Sequence, residues 1–401
     1  MIYDFTTFLN RTGHDALAYD GLGLEGFPKK GKVEFPPISM WVADMNFVAF
    51  PDIIEGIEKR LSHPSFGYFL LPSEYYQRIA WWHYTKYNVK GLKQEHIVYA
   101  NSVLGGLVAT LDSLIAKGDA VLTHEPTYIG FLHAVKDAGY RIVTSPLKLE
   151  DGIYQLDLAD MENKIITENI KVMILCNPHN PSGKAWTKDE LKQIATLCKK
   201  YEVIIISDEI WADLDLNNDN HIPMQSVSSD AKQRTIALYG LTKTFNLASI
   251  TGAYMVIYNV ALRNLIKEKL DATCLNNPHI LSVHALINAY TDAGMAWVKE
   301  LNSVLADNVK LMTEFLKQYP SLKFAIPQAT YMFYVDASQY CNKHKISFDD
   351  LLNKGYEVGV VWQDGRPFGV NETIRINVAS PTKVLIEALE RLKKGVLVQD
   401  A

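Results

Sequence analysis

Between residues 97 and 258 one pattern repeats: a short, continuous apolar run, a small-residue or polar turn, then a longer amphipathic stretch. Ile97–Ala100, 121–124, 141–145, KVMILCN (171–177), VIIISDE (203–209) and TIALYG (235–240) predict strands, with AYMVIY (253–258) a further candidate. Unbroken apolar runs suit strands buried on both faces, and their alternation with helices predicts a mostly parallel sheet. Helices are predicted after Pro51, over 73–88, from the Asn101-Ser102 turn to about Ala116, near 130–138 and over Lys188–Tyr201. Residues 285–320 read as one long helix or two in sequence, and the pattern then changes. FAIPQATYMFYVDAS and the run from TIRINVAS into KVLIEALERLKK predict a smaller unit of strands and helices. The expected fold class is α/β: a three-layer αβα large domain with a mostly parallel sheet, and a smaller α+β C-terminal domain. The expected division is 1–50 (an N-terminal arm and part of the small domain), 51–288 (large domain) and 289–401 (small domain).

Composition narrows the function classes. Nearly half of the 401 residues are apolar, and a net charge of −5 gives no reason to expect nucleic acid or an anionic membrane as partner. No apolar run reaches the roughly 18 residues of a membrane span. MIYDFTTFLNRTGHD has no basic n-region or apolar h-region, so a cytoplasmic protein is expected. Cys176, Cys198, Cys274 and Cys341 are widely spaced and read as reduced thiols. GLGLEG (21–26) has dinucleotide-binding spacing but lacks a strand before it and a helix after it, so it reads as a loop.

Parallel α/β sheets place ligands at the carboxyl ends of their strands. At those ends stand Asn101-Ser102-Val103-Leu104, a turn into a helix N-terminus that suits a phosphate or is an ordinary turn capped by Ser102. Next come Glu125-Pro126-Thr127-Tyr128, with an aromatic, and NPHNPSGK (177–184), whose Asn177 and Asn180 amides are expected to face the crevice. Ser207-Asp208-Glu209 puts a carboxylate at a buried strand end, as a helix cap or as partner of a ring nitrogen. One strand later Lys243 sits between Thr242 and Thr244, beside Phe245 and Leu247. A lysine desolvated there has a lowered pKa and more of the neutral amine that attacks aldehydes.

With these parts in order, the chain resembles the fold-type-I pyridoxal-phosphate enzymes, and within them the cystathionine β-lyase (MalY/PatB-type C–S lyase) branch. The stretches that carry the resemblance are MWVADMNF (40–47), FGYFLLPSEYY (66–76), NPHNPSGKAW (177–186), SDEIWADL (207–214), TKTFNLA (242–248), ATYMFYVD (329–336) and IRINVASP (374–381). The resemblance implies a Schiff base on Lys243, which then moves the α-proton, and Asp208 on the pyridine nitrogen. It implies Asn180 on the phenolate oxygen, Tyr128 stacked on the ring, and Ser102, Val103, Leu104 and Thr242 around the phosphate. Arg375 would hold the substrate carboxylate. Tyr68 would reach the phosphate of a second subunit, making a homodimer with its active site at the interface.

Three positions depart from the branch pattern: Asn46 where Asp is usual, Gly240 where a phosphate-binding serine often sits, and Trp211 where lyases tend to have His and aminotransferases Tyr. The resemblance still implies Trp211 among the cofactor-binding residues, where its indole can donate a hydrogen bond but cannot accept one. The implied activity is β-elimination from cystathionine or a related sulfur amino acid. Its alternatives are an aminotransferase of broad specificity and a regulatory binding protein on the same scaffold. His63, His83, His124 and His179 show no metal spacing and are expected in loops or at the surface, His179 supporting the asparagine loop. The acidic run 214–220 lacks the glycine and glutamate of a calcium loop and reads as a solvated turn.

Overall fold

The structure, a computed structural model, describes residues 2–32, 34–217 and 221–398. The end of the acidic run, 218–220, therefore lies outside the described residues, and its start is not the solvated turn expected: Leu214, Asp215 and Leu216 are buried, with Asp215 bridged to Ala329.

A seven-stranded sheet forms the centre of the chain, in the order Ile97–Ala100, Ala253–Val256, Thr235–Tyr239, Ile204–Asp208, Val172–Cys176, Ala120–Glu125, Arg141–Pro146. Ala253–Val256 runs antiparallel to both neighbours, and the other adjacent pairs are parallel. Every residue of Val172–Cys176 and of Thr235–Tyr239 is buried, as unbroken apolar strands between two helix layers should be. Leu191 and Ile194 of the helix Lys188–Lys200 cover one face, and Leu107 and Leu111 of Val103–Leu114 the other. The helix Lys188–Lys200 begins where Thr187 Oγ1 accepts the Glu190 N–H and Glu190 returns a bond to the Thr187 N–H. That reciprocal cap ends the asparagine loop at a fixed point.

A second, five-stranded sheet has the order Ile38–Met40, Val360–Asp364, Thr373–Asn377, Met332–Asp336, Lys323–Phe324. Its first strand comes from the N-terminal arm and runs parallel to Val360–Asp364. The segment that follows, 41–47, thus leaves one sheet and passes over the strand ends of the other.

The predicted 285–320 helix is two: Ile280–Ala289 and Asp292–Leu316. Thr291 breaks the run by capping Gly294 N, and a side chain on Gly294 would collide with the Ala289 carbonyl. A further helix, Val260–Thr273, was not predicted; Asn259 starts it by accepting the N–H groups of Ala261 and Leu262. Among the described residues no helix is long and apolar enough to cross a membrane.

Candidate active site

Lys243 lies in the loop after the strand Thr235–Tyr239, and Asp208 ends the neighbouring strand. Lys243 is half-buried as a residue, but protein crowds its amine, which donates to the Ala43 carbonyl at 2.9 Å. Burial, reinforced by the nearby Arg375 charge, pulls its pKa down to about 8, against the opposing pull of Asp44 and Asp208. Asp208 is buried and accepts the Ile210 N–H at 3.1 Å; burial lifts its carboxyl to about 7.

Arg375 points inward from the strand Thr373–Asn377 and is also buried. Its Nη1 donates to Asn180 Oδ1 at 3.3 Å and its Nη2 to the Trp41 carbonyl at 2.8 Å, while its Nε finds no partner. Burial draws the guanidinium down to about 10. No carboxylate lies within ion-pair distance of it among the described residues, so a cation with an open donor is held ready for an anion.

Tyr128 sits near enough for its phenol to feel both Arg375 and Asp208. A side chain on Gly130 would overlap the Tyr128 ring, so glycine there leaves the ring its place. Ser102 Oγ caps the helix Val103–Leu114 by accepting the Gly105 N–H at 2.9 Å, and keeps its own proton to donate. The N–H groups of Val103 and Leu104 belong to the first turn, where helices leave donors open. Thr242 is half-buried two residues beyond Gly240. A side chain on Gly240 would meet only the Gly252 carbonyl, at 3.4 Å, and Ala253, at 3.8 Å, so neither space nor backbone angle requires glycine. Trp211 is buried, with the Lys243 amine 5.4 Å from its ring centre and Tyr331 edge-on at 4.9 Å.

Lys243, Asp208, Asn180, Arg375, Tyr128 and Trp211 thus converge. Tyr68 does not: it lies fully exposed in the irregular segment 63–72, together with Phe66 and Leu70. Asn177 differs from expectation as well. Its amide donates to the Ile222 carbonyl at 3.0 Å and is tied to that separate segment rather than turned to the crevice. The histidine expectation is corrected too, since His83, His124 and His179 are buried and burial lowers all three pKa values. His179 does bond within its loop, to Ser182 at 2.7 Å.

The strip 41–46 carries part of the resemblance, but sequence reasoning gave its backbone no role at the site. Its carbonyls are taken up one after another: Trp41 by Arg375, Val42 and Asp44 by Asn377, Ala43 by Lys243 and Tyr331, and Met45 by Asn246 and Arg11. Asn46 joins arm to C-terminal region, accepting from Arg11 and Tyr19 and donating to Ser380. With Asn the amide donates to the Ser380 hydroxyl, whereas an aspartate would have to accept from it and would add a negative charge beside Asp44. Asp213 was also missed: buried beneath the lysine loop, it accepts from Trp82, Tyr87 and Thr244.

A family model for aminotransferase class I and II matches residues 46–392. The chain is 30% identical over 359 residues to cystathionine beta-lyase PatB of Bacillus subtilis (strain 168), covering 89% of this chain and 92% of PatB. The pyridoxal-phosphate-bound C–S lyase from Staphylococcus hominis superposes with a TM-score of 0.87 at 30% identity, over 97% of this chain and 98% of that one. Cystalysin from Treponema denticola, which contains a pyridoxal 5'-phosphate cofactor, gives 0.90 at 29% identity over 98% of each chain. With the match running from Asn46 to Leu392 and thus through every converging residue, the chain belongs to the aminotransferase class I and II family.

Proposed function

We propose that this protein is a pyridoxal-phosphate-dependent C–S lyase that releases pyruvate, ammonia and a thiol from cystathionine or a related sulfur amino acid. The meeting of a lysine with a pKa of about 8, a buried carboxyl at a strand end and a buried arginine without an anion among the described residues carries the cofactor chemistry. Each is costly to keep unless something is bound. The likeness to PatB and to the Staphylococcus hominis C–S lyase supports elimination over transamination.

The residues present fit the cofactor. Asp208 would pair with its ring nitrogen, Asn180 would bond its phenolate oxygen and Tyr128 would cover its face. The Ser102 hydroxyl, the Val103 and Leu104 N–H groups and Thr242 would hold its phosphate. Bound there, the cofactor supplies an electron sink for charge left on the substrate Cα. Arg375 binds the substrate α-carboxylate and so fixes which Cα bond faces that sink. Lys243 takes the α-proton as general base, for which a pKa of about 8 is well matched near neutral pH. It can then hand a proton to the departing sulfur. Trp211 borders the lysine where the branch usually has His.

We place the protein in the cytoplasm as a homodimer in which Tyr68, exposed on this chain, contributes to the phosphate site of the second copy. The division into 1–50, 51–288 and 289–401 belongs to the same reading. The test is product stoichiometry with L-cystathionine: pyruvate, ammonia and thiol should appear in equal amounts. Amino-group transfer to an added keto acid without thiol release would replace the lyase by the aminotransferase.

A further inference from the structure

We propose that Arg11 and Asp44 form a second charged subsite, which receives the far end of a thioether amino acid bearing both a carboxylate and an ammonium group. The proposal rests on the lyase reading and specifies its substrate class.

The pair sits beside the reacting groups. Asp44 follows Ala43, whose carbonyl takes the Lys243 amine and the Tyr331 hydroxyl. Asp44 acts electrostatically on both that amine and the Tyr331 phenol, and Tyr331 in turn feels Arg375 and Arg11. Asp44, Arg375 and Arg11 act on the Tyr331 phenol and Lys243 shares its Ala43 acceptor, so four charged groups lie near one tyrosine. Two of them, Arg375 and Lys243, are accounted for by the α-carboxylate and the α-carbon. Arg11 and Asp44 remain.

Their own hydrogen bonds leave capacity for a ligand. Arg11 Nη2 meets Asp44 Oδ2 at 2.5 Å, with side chains 22% and 15% exposed, so neither is sealed off. Arg11 Nη1 binds Met45 O and Asn46 Oδ1, and among the described residues Nε and one Nη2 proton have no hydrogen-bond partner. Asp44 Oδ1 accepts no hydrogen bond among the described residues. The pair offers open donors next to an open anionic acceptor and is neutral as a whole. A tail that is itself zwitterionic matches both halves, with its carboxylate toward Arg11 and its ammonium toward Asp44. A tail with one charge would match one half and oppose the other.

The experiment compares holoenzyme kcat/KM for L-cystathionine, whose tail is zwitterionic, with that for S-propyl-L-cysteine, whose tail is uncharged. Arg11→Gln and Asp44→Asn should each reduce the cystathionine-to-propylcysteine ratio by about tenfold or more, the effect of losing a hydrogen bond to a charged group. Equal losses on both thioethers, with a lowered Tm, would make the pair a strut for the N-terminal arm and overturn the subsite. Calorimetric binding of the same two compounds to cofactor-loaded Lys243→Ala protein, with and without Asp44→Asn, reads the subsite apart from the reaction. Selective loss of cystathionine binding there supports it even if the products refute the lyase, and failure to bind cystathionine better than propylcysteine refutes it even if the lyase stands.

Discussion

The Asn246 side chain exchanges two hydrogen bonds with the backbone of Met45, accepting its N–H at 2.8 Å and donating to its carbonyl at 2.9 Å. Asn246 lies three residues past Lys243 and adopts a φ of 58°, a left-handed conformation that Asn tolerates better than most residues. The pair fixes the lysine loop to the strip whose Ala43 carbonyl Lys243 touches. Asn246→Ala should cost about 2–3 kcal/mol, through two lost bonds and a strained φ. Asn246→Gly should cost about 1 kcal/mol less because the strain is absent. Thermal unfolding of the two variants checks this, and equal losses would refute the strain component.

The buried Asp208 carboxyl predicts a pH dependence for the cofactor-free protein. Its pKa is about 7 when folded against 3.8 ordinarily, so between those values the folded state holds a proton the unfolded chain has released. Stability therefore falls as pH rises across that window, and the whole penalty is present above it. Asp208→Asn removes the penalty, so the variant should gain on the wild type between pH 4 and 7, by roughly 4 kcal/mol at full extent. Urea unfolding at pH 5 and pH 8 measures the gain. A difference that does not change with pH would mean that the carboxylate is compensated in the empty site.

Arg375 should show function and stability pulling apart. As a buried cation with an unpartnered Nε and, among the described residues, no carboxylate in ion-pair distance, it is expensive to fold. Arg375→Met should lower kcat/KM by about a hundredfold or more, the effect of losing a bidentate charged contact to the substrate. Its Tm should stay the same or rise. A large fall in Tm would assign Arg375 to holding Trp41 and Asn180 instead.

Trp211 tests what a departure from the branch pattern does. An aromatic face near the Lys243 amine favours the ammonium form. Trp211→Leu should therefore lower the lysine pKa by about 0.5–1 unit below its value of about 8. Titration of the methylated amine by carbon NMR in cofactor-free protein would read the shift. An unchanged value would leave Trp211 as packing alone.

How far the sequence was legible followed the range of the interactions involved. The strands of the large sheet are continuous apolar runs, so their ends, and with them Asp208 and Lys243, could be located from local pattern. The pairing of Ile38–Met40 with Val360–Asp364 joins residues more than 300 apart and leaves no local trace. For the same reason the strip 41–46 was invisible as a site, since its contribution is carbonyls rather than side chains. Residue type alone misplaced His83, whose burial comes from a helix face packed on Tyr239 and Tyr254. The Asn46 departure was visible, but its meaning lay in Arg11, Tyr19 and Ser380.

The most direct measurement counts turnovers per active site on L-cystathionine with no keto acid present. Elimination regenerates the enzyme unaided, so pyruvate and thiol should accumulate to many equivalents per site, and Lys243→Ala should make neither. A single equivalent, renewed only when a keto acid is added, would contradict the lyase and leave an aminotransferase built on the same residues.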